Sequence, residues 1–380
     1  AAIGAPPGIS LIDGVRVVRV PSDAPELPFD VDHLLPWVLA LEHALTRAVA
    51  VLPAAPDVIH AHDWLVAHTA MTARTLTDAP IVATFHATEA GRHQGWLPGD
   101  LSRAIHSVEW WLANNAARII CCSEHMRSEV TTLFGGATPS LRVDVVPNGI
   151  DLATWKTTRA RVRTARERFA PDGAPLLVFS GRLEWEKGVH TLLDALPAVR
   201  RRVPGVRLVI AGRGSKVDEM RAQVRRLRLG RAVTFAGWLP EAELHALVAA
   251  ADCAVVPSLY EPSGLVALEA AALGTPLAVA RTGGLAEFVV DGSTGWTFTP
   301  GDVRELAAAV EQALTSTDAQ RRARGAKARL RAEFTWETIA AQTTEVYRRA
   351  RTEHRRSPRT RDVAALPAPM AYDGNLLRAL

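Results

Sequence analysis

Residues 251–287 alternate in a way that few architectures accept. The short apolar run Cys253–Val256 stops at Pro257-Ser258, an acidic loop with Glu261 follows, and Gly264 opens the helical run LVALEAAALG, which carries Glu269. A second apolar run, 276–280, leads to the pair Gly283-Gly284. Strand, loop, helix, strand, loop, helix is the pattern of a parallel α/β sheet, whose strands are buried on both faces and read as continuous apolar runs. Ligands of such sheets bind outside the carboxyl ends of the strands, where the loop 257–264 falls. Seven residues separate Glu261 from Glu269. One glutamate therefore precedes the helix and the other lies about one turn inside it, so that both can face one ligand. Glu269 sits in an otherwise apolar helix and needs a partner if it is buried.

Composition sets the frame for that sheet. A chain of 380 residues that is 48% hydrophobic is long enough for two or three domains with large cores. No apolar run approaches the ~20 residues that span a bilayer, and the small, uncharged start AAIGAPPGIS has no secretory h-region. The three cysteines, Cys121, Cys122 and Cys253, lie inside apolar runs, which predicts reduced, buried thiols in a cytoplasmic protein. The net charge of +4 is mostly arginine spread over helical runs, without an aromatic-interleaved patch. Solvated helix faces are predicted, and no nucleic-acid partner.

The rest of the chain repeats the βα alternation. A strand over 15–20 and a helix from about 32 to 52 are followed by DVIHAHDW, a strand ending in His60, His62 and Asp63. Asp63 either caps the next helix or faces a ligand; the histidines have no further ligands spaced to make a metal site. The strand IVATF ends at His86, and a polar loop with Glu89, Arg92 and His93 follows. A helix over 100–116, the strand RIICCS and the strand-turn RVDVVPNGID close the first half. The second half opens with LLVFSGRLEWEKGVH. Its strand 176–180 ends at Gly181, and Arg182 and Lys187 flank a helix beginning near Gly188. A guanidinium fork and an ammonium beside a helix N-terminus favour an anion such as a diphosphate. Only four lysines occur in the chain, which singles out Lys187. Strands at 206–215 and 233–240, then helices at 303–315, 319–333 and 334–350, complete the pattern. The Gly212/Gly214 pair lacks the G-x-G-x-x-G needed for a dinucleotide fingerprint.

Taken together, Ser258, Glu261, Gly264 and Glu269, the GTP at 274–276 and the GGL at 283–285 resemble the E-x7-E region of retaining glycosyltransferases of family 4, including their glycogen-synthase relatives. G-R-L-x-x-x-K-G is similar to the diphosphate clamp of those enzymes, and H-A-H-D-W and H-A-T-E-A-G-R resemble their glycogen-synthase-like branch. The resemblance implies two Rossmann-like α/β domains facing each other across a cleft, the GT-B fold, with a C-terminal helix crossing back to the first domain. It divides the chain into an acceptor-binding domain (1–152), a nucleotide-sugar domain (153–340), a crossover helix (341–352) and a disordered tail (353–380). It also implies an earlier strand and glycine loop near the donor phosphates that nothing here matches, so the N-terminal domain is expected to lack them. At position 263, where many members carry Phe or Cys, this chain has Ser263, a difference expected to bear on donor or sugar preference.

The implied roles follow. Glu261, His86, Asp63, Arg182 and Lys187 are the expected catalytic set. The donor is held by Arg182, Lys187, Gly264 and Leu265 at the diphosphate, by Glu269 at the ribose hydroxyls, and by Gly237, Trp238 and Leu239 at the base. The two cations are expected to stand where other transferases use a divalent ion, so no metal and no other cofactor is expected. The expected reaction moves glucose from ADP- or UDP-glucose to the non-reducing end of an α-1,4-glucan, with no stable membrane insertion. The alternatives are transfer of mannose or glucose to a lipid or small metabolite, and a non-catalytic nucleotide-sugar-binding remnant.

Overall fold

A computed structural model describes residues 6–135 and 141–356. The chain separates into two compact units. The first takes the described residues up to Cys121, then Arg127–Val145, then those from Thr343 onward; the second takes Cys122–Met126 and Val146–Gln342. Among the described residues no helix is long and apolar enough to cross a membrane.

The first unit begins with a hairpin of β1 (Gly8–Ile12) and β2 (Val15–Arg19). The sequence reading found only the second of these strands. Its turn is Asp13-Gly14, both with positive φ (49° and 81°), as the tightest hairpin turns require, and that Asp-Gly pair was the missed signal. A parallel sheet follows in the order β3 (Ile59–His62), β4 (Ile81–Phe85), β5 (Arg118–Cys121), β6 (Val143–Val145). All five residues of β4 are buried, which explains its unbroken apolar reading. The register pairs His62 with Thr84 and Phe85 with Cys121, so Asp63, His86 and Ser123 follow the strands at one edge of the sheet.

The second unit is a six-stranded parallel sheet. Its strands are β7 (Leu176–Ser180), β8 (Arg207–Ala211), β9 (Val233–Gly237), β10 (Cys253–Val256), β11 (Leu277–Ala280) and β12 (Trp296–Phe298). In space the order is β12-β11-β10-β7-β8-β9. The chain thus builds outward from β7 through β9, then returns to the other side of β7 with β10. The reversal between β7 and β10 is a topological switch point, and the loops leaving those two strands bound the crevice there. Alternate residues of β7 feed opposite cores. Leu177 and Phe179 pack with the helices Val189–Arg202 and Val303–Thr315. Leu176 and Val178 pack with Leu247, Leu268 and Leu330 from the helices on the other face.

The C-terminal helix runs Trp336–Arg356, longer than the expected 341–352. Residues 353–356, assigned to a disordered tail from their charge, are helical instead. Glu353 accepts from Arg118 at 2.7 Å and Arg142 at 2.8 Å, so tertiary ion pairs hold a stretch whose composition alone favours disorder. The rest of that tail lies outside the described residues. All three cysteines are buried.

Candidate active site

In the second unit the loops after β7 and β10 are packed backbone against backbone. Gly188 has φ +67°, and a Cβ there would stand 1.9 Å from the carbonyl oxygen of Pro257. A Cβ on Gly283, at φ +48°, would stand 2.1 Å from the carbonyl oxygen of Glu261. Only glycine meets both demands. This close approach brings Lys187 to Glu261, whose Nζ and Oε2 are 2.8 Å apart. The pair is 18% and 12% exposed, dry enough for the charges to feel each other strongly. Ser258, 1% exposed, donates its hydroxyl to the same Oε2 at 3.1 Å. The Gly264 N–H donates to Oε1 at 3.3 Å. Glu261 is therefore the hub: Lys187, Ser258 and Gly264, three positions read from the sequence, all converge on its carboxylate.

Arg182 leaves β7 one residue after Gly181 and pairs with Glu186 at 2.8 Å, its side chain 57% exposed. It is thus in play at the mouth of the same loop but is not bonded to Glu261. Glu269 lies in the helix Leu265–Leu273. No hydrogen bond relieves its burial, and burial first, then the nearby Glu261 charge, push its carboxyl up to about 7. The partner the sequence demanded is absent among the described residues, and the group answers by titrating near neutrality instead of in the ordinary carboxylate range. Leu265 is 38% exposed at the start of that helix.

A cavity of about 430 Å³ opens beside β8 and β9, lined by residues that include Leu183, Gly212, Arg213, Arg221, Phe235 and Gly237. Of the three residues expected at a base, only Gly237 lines it. Trp238 is 63% exposed, and Leu239 turns into the core beside Val209 and Leu247. Leu239 is apolar and follows a strand end, so burying it outweighs presenting it to a ligand. Arg213 and Arg221 went unread, although Gly212-Arg213 after β8 repeats Gly181-Arg182 after β7. Asn148, from the Asn-Gly turn, was also missed; its amide donates to Ser263 Oγ at 2.8 Å.

In the first unit, Asp63 does not cap the turn that follows it. Its Oδ1 accepts the backbone N–H of His86 at 2.8 Å, and it sits at φ 58°, ψ −178°, a costly conformation for a non-glycine residue. The aspartate fastens the end of β3 to the end of β4. His62 Nδ1 and His86 Nε2 are 3.0 Å apart. His60 is tied to Thr84 Oγ1 and to the Tyr347 hydroxyl, each at 2.7 Å, and burial followed by its two histidine neighbours lowers it to about 4. Among the described residues no group of three or more His, Cys, Asp or Glu side chains is arranged to hold a metal ion. The loop after His86 rests on Glu109, which accepts the Glu89 N–H at 2.9 Å. Its full burial drives the carboxyl well above the usual range, a support the sequence reading missed.

Known proteins match at both levels. Residues 4–154 fit the family model described as Glycosyltransferase Family 4, and residues 162–331 fit Glycosyl transferases group 1. The chain is 47% identical over 364 residues to a glycogen synthase of Mycobacterium tuberculosis, covering 93% of this chain and 85% of that one. Among solved structures it is similar to sucrose-phosphate synthase from Thermosynechococcus elongatus, with a TM-score of 0.77 and 25% identity over 91% of this chain and 86% of that one. It is also similar to Anabaena Alr3699/HepE in complex with UDP-glucose, with a TM-score of 0.70 and 26% identity over 84% of each chain.

Proposed function

Because the chain belongs to glycosyltransferase family 4 and is a glycogen-synthase-like hexosyltransferase of GT-B fold, we propose that it lengthens an α-1,4-glucan by moving glucose from ADP- or UDP-glucose to the non-reducing end, with retention of configuration, in the cytoplasm. The observation that carries this reading is the Lys187–Glu261 pair at the β7/β10 switch point, flanked by Arg182, Ser258 and the Gly264 N–H. Glucosyl transfer from a nucleotide diphosphate builds negative charge on the leaving diphosphate and positive charge on the sugar carbon. A site that holds a cation and an anion side by side, before substrate arrives, is preorganised for both.

In this reading Lys187 and Arg182 exchange their carboxylate partners for the diphosphate oxygens, and the N–H groups at Gly264 and Leu265 add to that charge. Glu261, freed from Lys187, turns to the sugar hydroxyls and the anomeric carbon. Glu269 accepts from the ribose hydroxyls. The cavity beside Gly237 takes the base, with Arg213 and Arg221 added to the residues expected there and Trp238 at its margin. His86, set by Asp63, donates to the sugar and the leaving phosphate. The two cations do the work a divalent ion does elsewhere, so the reaction proceeds without metal.

The test is direct. Purified protein incubated with UDP- or ADP-glucose and a maltooligosaccharide lengthens the oligosaccharide, and EDTA leaves the rate unchanged. Product from a mannose donor alone, or from a lipid or small-metabolite acceptor alone, would overturn the glucan reading. Donor binding without turnover on any acceptor would make the chain a binding protein.

A further inference from the structure

Three imidazoles stand in a row at the carboxyl edge of the first sheet. The rings of His60 and His62 lie 4.3 Å apart, and those of His62 and His86 lie 5.3 Å apart and tilt by only 10°. The outer member, His60, is fixed on both nitrogens by Thr84 and Tyr347. His62 in the middle is fixed by the row: one face meets His60, and its Nδ1 meets His86 Nε2 at 3.0 Å. For that contact to be a hydrogen bond, one nitrogen must carry the proton and the other must accept it. The tautomers of His86 and His62 are therefore coupled: if one presents an N–H, the other must present a bare nitrogen. Asp63 holds only the backbone of His86, which leaves the ring plane to His62.

We propose that His62 is the positioning residue for the His86 imidazole, fixing its ring plane and its tautomer for glucosyl transfer. The inference rests on the glucosyl-transfer reading, in which His86 donates to the donor sugar. It also makes the two rings one unit with respect to acid. A single added proton still leaves an N–H⁺···N bond; a second places two charges 3.0 Å apart and breaks it. The groups that face the pair are His60 from β3, Asp63 just after it and, through His60, Thr84 from β4 and Tyr347 from the C-terminal helix. Burial first, then His86, lower His62, and Asp63 opposes them.

Two variants separate positioning from mere structure. In His62→Gln the amide can still hydrogen-bond to His86 but cannot take a proton. In His62→Ala the neighbour is gone. An imidazole misplaced by ~1 Å costs up to about 100-fold in rate, so H62A should lose kcat by about tenfold to 100-fold at neutral pH with the donor KM little changed. H62Q should recover most of kcat, and its rate should persist to lower pH than that of the wild type. Nitrogen-15 spectra of histidine-labelled protein should show His86 in one tautomer in the wild type and in H62Q, and in a tautomer mixture in H62A. Unchanged kcat and an unchanged His86 spectrum in H62A would overturn the proposal. So would equal loss in both variants with the His86 tautomer retained. The spectra need no turnover, so a wild type that shows the locked tautomer but transfers no glucose refutes the glucosyl-transfer reading and not the coupling of the rings.

Discussion

Glu269 offers the sharpest test of the donor site. Its carboxyl ordinarily titrates at 4.5, and burial with the Glu261 charge lifts it to about 7. In the proposed role Glu269 accepts from the ribose hydroxyls as a carboxylate, so donor binding should be linked to proton release. At pH 7 about half of the molecules are ionised, and at pH 6 about one in eleven. UDP- or ADP-glucose should therefore bind about fivefold more weakly at pH 6 than at pH 7 and release about half a proton per site at pH 7. The sugar nucleotide is the right probe, because the terminal phosphate of a free nucleoside diphosphate would itself titrate in this range. Calorimetry in buffers of different ionisation enthalpy counts the protons. Without ligand the sign reverses: a carboxyl raised in the folded state contributes stability that is full below pH 4.5 and is lost as pH climbs through about 7, a total of about 3 kcal/mol. Glu269→Gln should abolish both dependences. Affinity that stays flat from pH 6 to 8, or a Gln variant with the wild-type pH dependence, would refute the reasoning.

Other consequences are more easily checked. Glu261→Gln should leave the fold intact, because the amide oxygen can still accept from Lys187 and Ser258 and only the 3.3 Å bond from the Gly264 N–H is given up, yet reduce transfer by about 100-fold or more, read as oligosaccharide extension per hour. Lys187→Ala should raise the donor KM and lower kcat together, whereas Arg182→Ala, with its more exposed side chain, should act chiefly on KM. Gly188→Ala forces a Cβ to within 1.9 Å of a backbone oxygen at positive φ and should cost about 3 kcal/mol or more in urea unfolding. In the first unit, His68 is raised above 6.5, first by its hydrogen bond to Glu42, with burial opposing. Its contribution to stability is full below pH 6.5 and fades as pH rises through the raised value. His68→Gln should flatten that part of the unfolding profile.

The parallel sheets were legible because buried strands leave few choices. Strands such as Leu176–Ser180 and helices such as Val303–Thr315 and Ala319–Glu333 fall where the apolar periods place them. Gly188 and Gly283-Gly284 were legible as loop markers, but their purpose was not: each makes room for a carbonyl about seventy or some twenty positions away in sequence, a distance no local period reports. Charge pattern also misled where partners are remote. Residues 353–356 looked like disordered tail until Arg118 and Arg142 supplied Glu353 with ion pairs.

By itself, then, the amino-acid order determined the alternation of strand and helix, the glycine-ended strands and the residue types from which the donor-site proposal is built, because burial, helix period and anion chemistry act over a few residues. Only the tertiary structure decided which of those residues meet. It joined Lys187 to Glu261 across the switch point, left Glu269 without a hydrogen-bond donor among the described residues, turned Leu239 inward while Arg213 and Arg221 line the cavity beside β8 and β9, and made Asp63 a clasp on His86. Those outcomes depend on strand order and on backbone approach between distant loops, and strand order is set by packing the whole sheet at once.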